Sequence, residues 1–225
     1  MASLKLGDCL ELMKDIPTGS VDMVLCDLPY GTTMCKWDVC IPLEPLWEQY
    51  HRVCKKNAVI VLFGGEPFTS KLIISNITNF TEKLTWVKHK PSNIGNAKIR
   101  HLKYSEDIVV FSKGKHTYNP QMQPRLSNRI REAQKGNSKQ WRTVGNNGSE
   151  VCFGTLYKPK DWNCYSADKK YPSNVLNFPA VVSNSKEKCL HPTQKPVALL
   201  EYLIKTYSNE GETVLDNTMG SGSTG

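Results

Sequence analysis

Two short apolar runs, each stopped by residues that break a strand, constrain this chain most. Val21–Cys26 (VDMVLC) runs into Asp27, Pro29 and Gly31, and Ala58–Phe63 (AVIVLF) runs into Gly64 and Gly65. Apolar runs bounded in this way predict buried parallel strands followed by loops. Between them, Leu43 to Cys54 puts Leu46, Trp47, Tyr50 and Val53 on one side of a helix. Strand, helix, strand at this spacing is a βαβ unit, which makes an α/β sheet the expected fold.

The pattern continues with a predicted helix over Phe68 to Ile77 and predicted strands over Lys83 to Val87 and Asp107 to Phe111. It then breaks. Residues 112–190 are polar, rich in Asn, Ser, Lys, Pro and Gly, and show no strong period, as a long functional insertion or a disordered region would. Regular structure resumes with a predicted helix over Val197 to Tyr207 and a strand over Thr213 to Leu215. The expected organisation is 1–112, an insertion over 113–190, and 191–225.

Composition narrows the setting. The 225 residues suit one domain with a sizeable core, or one domain with a large insertion, and carry a net charge of +8. Eight irregularly spaced Cys in a chain of this length fit reduced thiols in a cytoplasm better than a disulfide framework. Cys35, Cys40, Cys54 and His51 form no CxxC pair, so no metal is expected. No apolar run reaches membrane-spanning length.

Two loops carry chemistry. Asp27-Leu28-Pro29-Tyr30-Gly31 lies past the carboxyl end of the first strand, where open α/β sheets bind ligands. Its Asp can accept a hydrogen bond from an amine, its turn exposes a carbonyl, and its Tyr can stack on a flat ring. An ordinary strand-to-loop turn has the same composition. Leu215-Asp216-Asn217-Thr218-Met219-Gly220-Ser221-Gly222 follows the last strand, with glycines that admit a ligand close to the backbone. Gly220, Gly222 and Gly225 match G-x-G-x-x-G, but the helix and acidic residue that a dinucleotide site requires do not follow.

Together these loops resemble the beta group of DNA amino-methyltransferases. Asp27-Leu28-Pro29-Tyr30 resembles their D/S-P-P-Y/W catalytic motif, and Leu215 to Gly222 their S-adenosylmethionine loop. His191-Pro192-Thr193-Gln194-Lys195-Pro196 looks like the element before that loop, and Gly7-Asp8-Cys9-Leu10-Glu11 like the segment before the catalytic strand. Catalytic motif first and cofactor loop last is the beta-group order, and Tyr118 to Met122 looks like phage and prophage members. The resemblance implies a Rossmann-like, mostly parallel methyltransferase sheet whose insertion recognises target DNA. It implies a methyl group moved from S-adenosylmethionine to N6 of a flipped adenine. Asp27 favours adenine over N4 of cytosine, where Ser stands in the motif.

The implied catalytic residues are Asp27, Leu28, Pro29 and Tyr30. Asp27 and the Leu28 carbonyl would accept from the two amine hydrogens and free the nitrogen lone pair. Leu28 stands where the motif has its first Pro. The implied cofactor residues are Asp8, Thr193, Lys195, Asp216, Gly220, Ser221 and Gly222, with Asp8 equally readable as a helix N-cap. A cytosine-C5 enzyme would need a Cys after a Pro, and none is present. Cys26 reads as a buried structural thiol.

Lys83 to Arg142 contains fourteen Lys or Arg and three Asp or Glu, a surplus larger than that of the whole chain. A solvated basic loop and a phosphate-binding surface are both consistent with that charge; the motifs favour double-stranded DNA, with Arg125, Arg129, Arg131 and Trp141 as contacts. A homodimer and a cognate restriction enzyme are partners the resemblance allows. The sequence stops inside the cofactor loop, so that part of the resembled fold is expected to be missing and cofactor binding to be weaker than in a complete relative. A DNA-binding remnant with little activity is the alternative of a different class.

Overall fold

The computed structural model describes residues 3–31, 38–124, 169–181 and 194–225. Asp8 opens the first helix, α1 (Cys9–Met13), by accepting from the backbone N–H of Leu10 and Glu11 at 2.8 and 3.3 Å. That is an N-cap satisfying donors that have no partner within the helix. β1 (Val21–Cys26) follows, with five of its six residues buried, as a central strand covered on both faces must be. α2 (Leu43–Val53) buries Leu46, Trp47, Tyr50 and Val53, the face the sequence predicts. β2 (Cys54–Gly64) begins earlier than its apolar run, because the exposed Lys55 to Asn57 extend the strand beyond the core. α3 (Phe68–Ser75) gives way to a 3₁₀ turn at Ile77–Asn79. β3 (Phe80–Val87) and β4 (Ser105–Ser112) form an antiparallel hairpin.

The chain divides into two compact units, Met1–Asn119 with Ser173–Gly225, and Pro120–Pro172. In the second, β5 (Gln123–Pro124) pairs antiparallel with β6 (Lys169–Lys170). The first is completed by β7 (Val175–Asn177), α4 (Val197–Tyr207) and β8 (Val214–Leu215). β7 was not readable in the sequence: three residues show no period, and only pairing with β3 makes them a strand. Among the described residues no helix is long and apolar enough to cross a membrane.

The six-stranded sheet runs β7-β3-β4-β2-β1-β8. β1 is parallel to both β2 and β8, β7 is parallel to β3, and β4 is antiparallel to its neighbours. Strand side chains alternate between faces. Val24, Cys26, Ile60, Leu62, Val109 and Phe111 therefore meet α2 and α3 on one face. Met23, Leu25, Val59, Val61, Ile108 and Val110 meet Leu199, Leu200, Leu203 and Tyr207 of α4 on the other. The result is a three-layer α/β/α core. One edge of the sheet gathers the carboxyl ends of β1, β2 and β8. Antiparallel β4 brings its amino end, Ser105 to Asp107, to the same edge, with Gly64 opposite Asp107.

Arg52 fastens α1 to α2. Its guanidinium donates to Ile16 O at 2.8 Å, Met13 O at 2.5 Å and Gln49 Oε1 at 2.9 Å. Hydrogen bonds from a charged donor to backbone carbonyls contribute about 1.5–3 kcal/mol. Arg52→Met is expected to cost about 2 kcal/mol in chemical denaturation with an unchanged denaturant slope, whereas a change of less than about 0.5 kcal/mol would show the bonds to be dispensable.

Candidate active site

The loop after β1 is shaped by Gly31, whose φ of +67° is left-handed. A Cβ there would lie 2.9 Å from Cys40 Sγ, so any side chain would be strained and would have to displace Cys40. The Gly31 N–H donates to Asp38 Oδ1 at 2.9 Å, and the Leu28 side chain is buried in the core. The loop is anchored at both ends, which fixes where Asp27 and Tyr30 stand.

The Asp27 carboxylate is held on both oxygens. Tyr30 Oη donates to Oδ1 at 2.8 Å, and Lys195 Nζ donates to Oδ2 at 2.5 Å. The Tyr30 ring stacks on Phe68, with centroids 5.0 Å apart and planes 23° apart. Burial, and after it the neighbouring Asp27 charge, push the Tyr30 phenol well above its ordinary value, so it stays a donor.

Lys195 is also 3.6 Å from Glu106 Oε2 and 5.0 Å from the centroid of the Phe63 ring. Its side chain is 10% exposed. Glu106 in turn accepts from Lys88 Nζ at 2.7 Å, and the Lys88 side chain is only 5% exposed. Burial pushes the Glu106 carboxyl up, but Lys195 and then Lys88 outweigh it and hold the group below its ordinary value. Asp107, next in the strand, accepts from Thr69 Oγ1 at 2.9 Å and pairs with Lys83 at 3.0 Å. A charge ladder of Lys88, Glu106, Lys195 and Asp27 thus crosses the edge of the sheet.

The loop after β8 lies against the same Asp27. Thr218 Oγ1 donates to Asp27 O at 3.0 Å. Asn217 clamps the two strand ends: its Oδ1 accepts from Cys26 Sγ at 2.8 Å and from Tyr50 Oη at 2.7 Å, and its N–H donates to Cys26 Sγ at 3.3 Å. Burial, and then Asp216, raise the Cys26 thiol well above its ordinary value, which makes it a neutral structural group. Asp216 folds its own loop by accepting from Thr218 N at 3.0 Å and Thr224 Oγ1 at 2.6 Å. Burial raises its carboxyl above the ordinary value despite those donors.

Gly220 and Gly222 turn with φ of +53° and +77°. Among the described residues, a side chain at Gly220 would meet nothing nearer than Thr218 O at 4.0 Å, so the space over the loop is open there. The turn therefore leaves room for a ligand close to the backbone, in the loop whose Thr218 bonds Asp27.

Of the residues singled out by sequence, Asp27, Tyr30, Lys195, Asp216, Gly220, Ser221 and Gly222 lie in the two loops and the segment joined to them by Lys195. Asp8 serves as the cap of α1. Thr193, Arg125, Arg129, Arg131 and Trp141 lie outside the described residues. The sequence reading missed Glu106, Lys88, Phe68 and Asn217. The available signals were Glu106-Asp107 at the head of a buried strand and Lys88 directly after Val87, since buried charges occur only where they are paired.

Comparison with known proteins gives one family model, a DNA methylase, matching residues 21–225. The chain is 29% identical over 232 residues to type II methyltransferase M.HpaI of Haemophilus parainfluenzae, covering 96% of this chain and 63% of that protein. It is 29% identical over 228 residues to the DNA adenine methyltransferase YhdJ of Escherichia coli (strain K12), covering 97% and 71%. The chain thus spans less than two thirds of the first of these relatives. The crystal structure of the M1.HpyAVI–SAM complex shares the fold, with a TM-score of 0.57, 23% identity and coverage of 97% of this chain and 84% of that one.

Proposed function

The chain belongs to the N6/N4 DNA methylase family, and from that premise we propose that it transfers a methyl group from S-adenosylmethionine to the exocyclic amine of a DNA base, N6 of adenine. The observation that carries the reading is the abutment of the two strand-end loops, in which Thr218 Oγ1 donates to Asp27 O at 3.0 Å. An acceptor-bearing loop and an open glycine turn are then neighbours at one edge of the sheet.

When bound, the cofactor supplies an activated methyl on a sulfonium. The chain's own residues do the rest. The amine of adenine is a poor nucleophile because its lone pair is delocalised into the ring. Asp27 and the Leu28 carbonyl accept from its two hydrogens and favour a pyramidal nitrogen whose lone pair faces the methyl. Lys195 and Tyr30 hold the Asp27 carboxylate in one orientation, so little reorganisation is left for the reaction. The Gly220–Gly222 turn, in the loop that Asp216 folds, would hold the methionine part of the cofactor.

The base must leave the duplex, at a cost of a few kcal/mol. Stacking on Tyr30, itself braced on Phe68, returns about 1–3 kcal/mol. The Asp of the catalytic motif favours adenine; N4 of cytosine offers the same two hydrogens to the same acceptors and is the second reading.

Tyr30→Phe removes the bond to Asp27 and keeps the ring. The expected result is a kcat lower by about tenfold, corresponding to roughly 1.4 kcal/mol for a hydrogen bond to a charged group, with KM for DNA little changed. Tyr30→Ala should also raise KM for DNA. Steady-state kinetics separate the two, and a Tyr30→Phe variant with wild-type kcat would remove Tyr30 Oη from the account.

The test of the proposal is transfer of labelled methyl from S-adenosylmethionine to unmethylated DNA by the purified chain. Calorimetry of cofactor binding runs alongside it. Saturable transfer supports the reading; cofactor binding with no label in DNA overturns it.

A further inference from the structure

The hairpin joining β3 to β4 leaves the sheet at the edge that carries Asp27, because Val87 pairs with Ser105 and Gly64 with Asp107. From His89 to Tyr104 it holds no Asp or Glu, while it carries Lys90, Lys98, Arg100 and Lys103 with His89 and His101. Lys90 and all residues from Ala97 to Tyr104 are exposed. Exposed with them are large apolar side chains: Ile94 at 66% and Ile99 at 79%.

The arm is built. Asn93 Nδ2 donates to His101 O at 3.0 Å, Lys103 N to Asn93 Oδ1 at 2.6 Å, and Ser92 N to Lys103 O at 3.1 Å. A 3₁₀ turn at Ile94–Asn96 shapes its tip. Its base touches the site already described: Lys103 Nζ lies 2.8 Å from where a Cβ on Gly65 would be, at the turn between β2 and Phe68. A braced, acid-free arm that keeps isoleucines in water is costly without a partner. Positive charge interleaved with apolar side chains matches duplex DNA, whose phosphates lie about 1.7 Å apart along the axis and whose opened base steps accept apolar wedges.

We propose that residues 89–104 form a DNA-contact arm at the rim of the catalytic edge. Lys90, Lys98 and Arg100 neutralise backbone phosphates, and Ile94 and Ile99 meet the base and sugar surface exposed when the target base leaves the stack. This rests on the reading of the chain as a DNA methyltransferase, and names contact residues other than Arg125, Arg129, Arg131 and Trp141.

The test is fluorescence anisotropy of a labelled mixed-sequence duplex, with and without an abasic position, titrated with the full chain across a salt series. Lys98→Ala/Arg100→Ala is expected to reduce the slope of log affinity against log salt by about two, since each phosphate contributes roughly 0.9. Affinity at about 0.15 M salt should fall around tenfold. Ile99→Ser should weaken binding to the abasic duplex severalfold at unchanged slope. These residues are exposed, so thermal midpoints should match wild type and exclude misfolding. Wild-type slope and affinity in both variants would overturn the arm alone. DNA binding through the arm without methyl transfer would leave the arm standing and remove the proposed activity. A wild-type chain that binds no duplex even at low salt would overturn both.

Discussion

Asp27→Ala is expected to lose methyl transfer by 10²–10³-fold or more while the sheet stays folded. Removing one preorganised polar group from a reacting centre costs about that much. Here the group is also the acceptor that orients the amine. The fold should tolerate the change because Lys195 has a second carboxylate in reach: Glu106 Oε2 is 3.6 Å away and has no hydrogen-bond partner among the described residues. The buried ammonium therefore exchanges one partner for another. Single-turnover kinetics measure the loss, and cofactor titration and thermal unfolding measure what survives. A variant keeping more than a tenth of the wild-type rate would remove Asp27 from the centre of the mechanism.

Lys88→Met should be the most destabilising single change at this edge. Lys88 is buried and donates to Glu106 at 2.7 Å. Breaking a buried pair from one side costs about 3–5 kcal/mol; Lys195, 3.6 Å from Glu106, keeps part of the compensation and sets the expectation at the low end of that range. At roughly 2–4 °C per kcal/mol for a chain of this size, the thermal midpoint falls by about 10 °C. The pH dependence has a defined sign. Glu106 is held below its ordinary value of 4.5: burial opposes its charge, and Lys195 followed by Lys88 prevail over burial. A depressed carboxyl contributes stability above that value and loses it as pH falls through the folded one. With Lys88 gone, burial meets less opposition and the acid-side loss begins at higher pH. Thermal scans between about pH 4 and 7 test this, and Lys88→Met/Glu106→Gln should recover part of the midpoint. An unchanged midpoint for Lys88→Met would contradict the buried-pair account.

What the sequence reveals here depends on how local the cause is. Val21–Cys26, Leu43–Val53 and Val197–Tyr207 are legible because their apolar pattern is set by the layer each occupies. Asp27 and Asp216 are legible because each sits at a strand end with its turn chemistry in adjacent residues. The edge ladder is not. Glu106 comes beside Lys88 and Lys195 only through the β3–β4 register, which sets Trp86 opposite Glu106, and through the return of the chain 89 residues later. β7 is hidden for the same reason, since three residues become a strand only by pairing with β3. Asp8 shows the converse: two readings fit its sequence equally, and the chain alone displays the cap, in which Oδ1 accepts from the N–H groups of Leu10 and Glu11.

The central claim is that Asp27 and the Asp216–Gly222 loop together direct a methyl group onto a base amine. Its most direct test is to incubate the purified chain with S-adenosylmethionine and unmethylated genomic DNA, digest to nucleosides, and identify modified bases by mass spectrometry. The account predicts N6-methyladenine with wild-type chain and none with Asp27→Ala. N4-methylcytosine in its place would contradict the choice of base, and no methylated nucleoside under conditions where the chain binds both cofactor and DNA would contradict the claim itself.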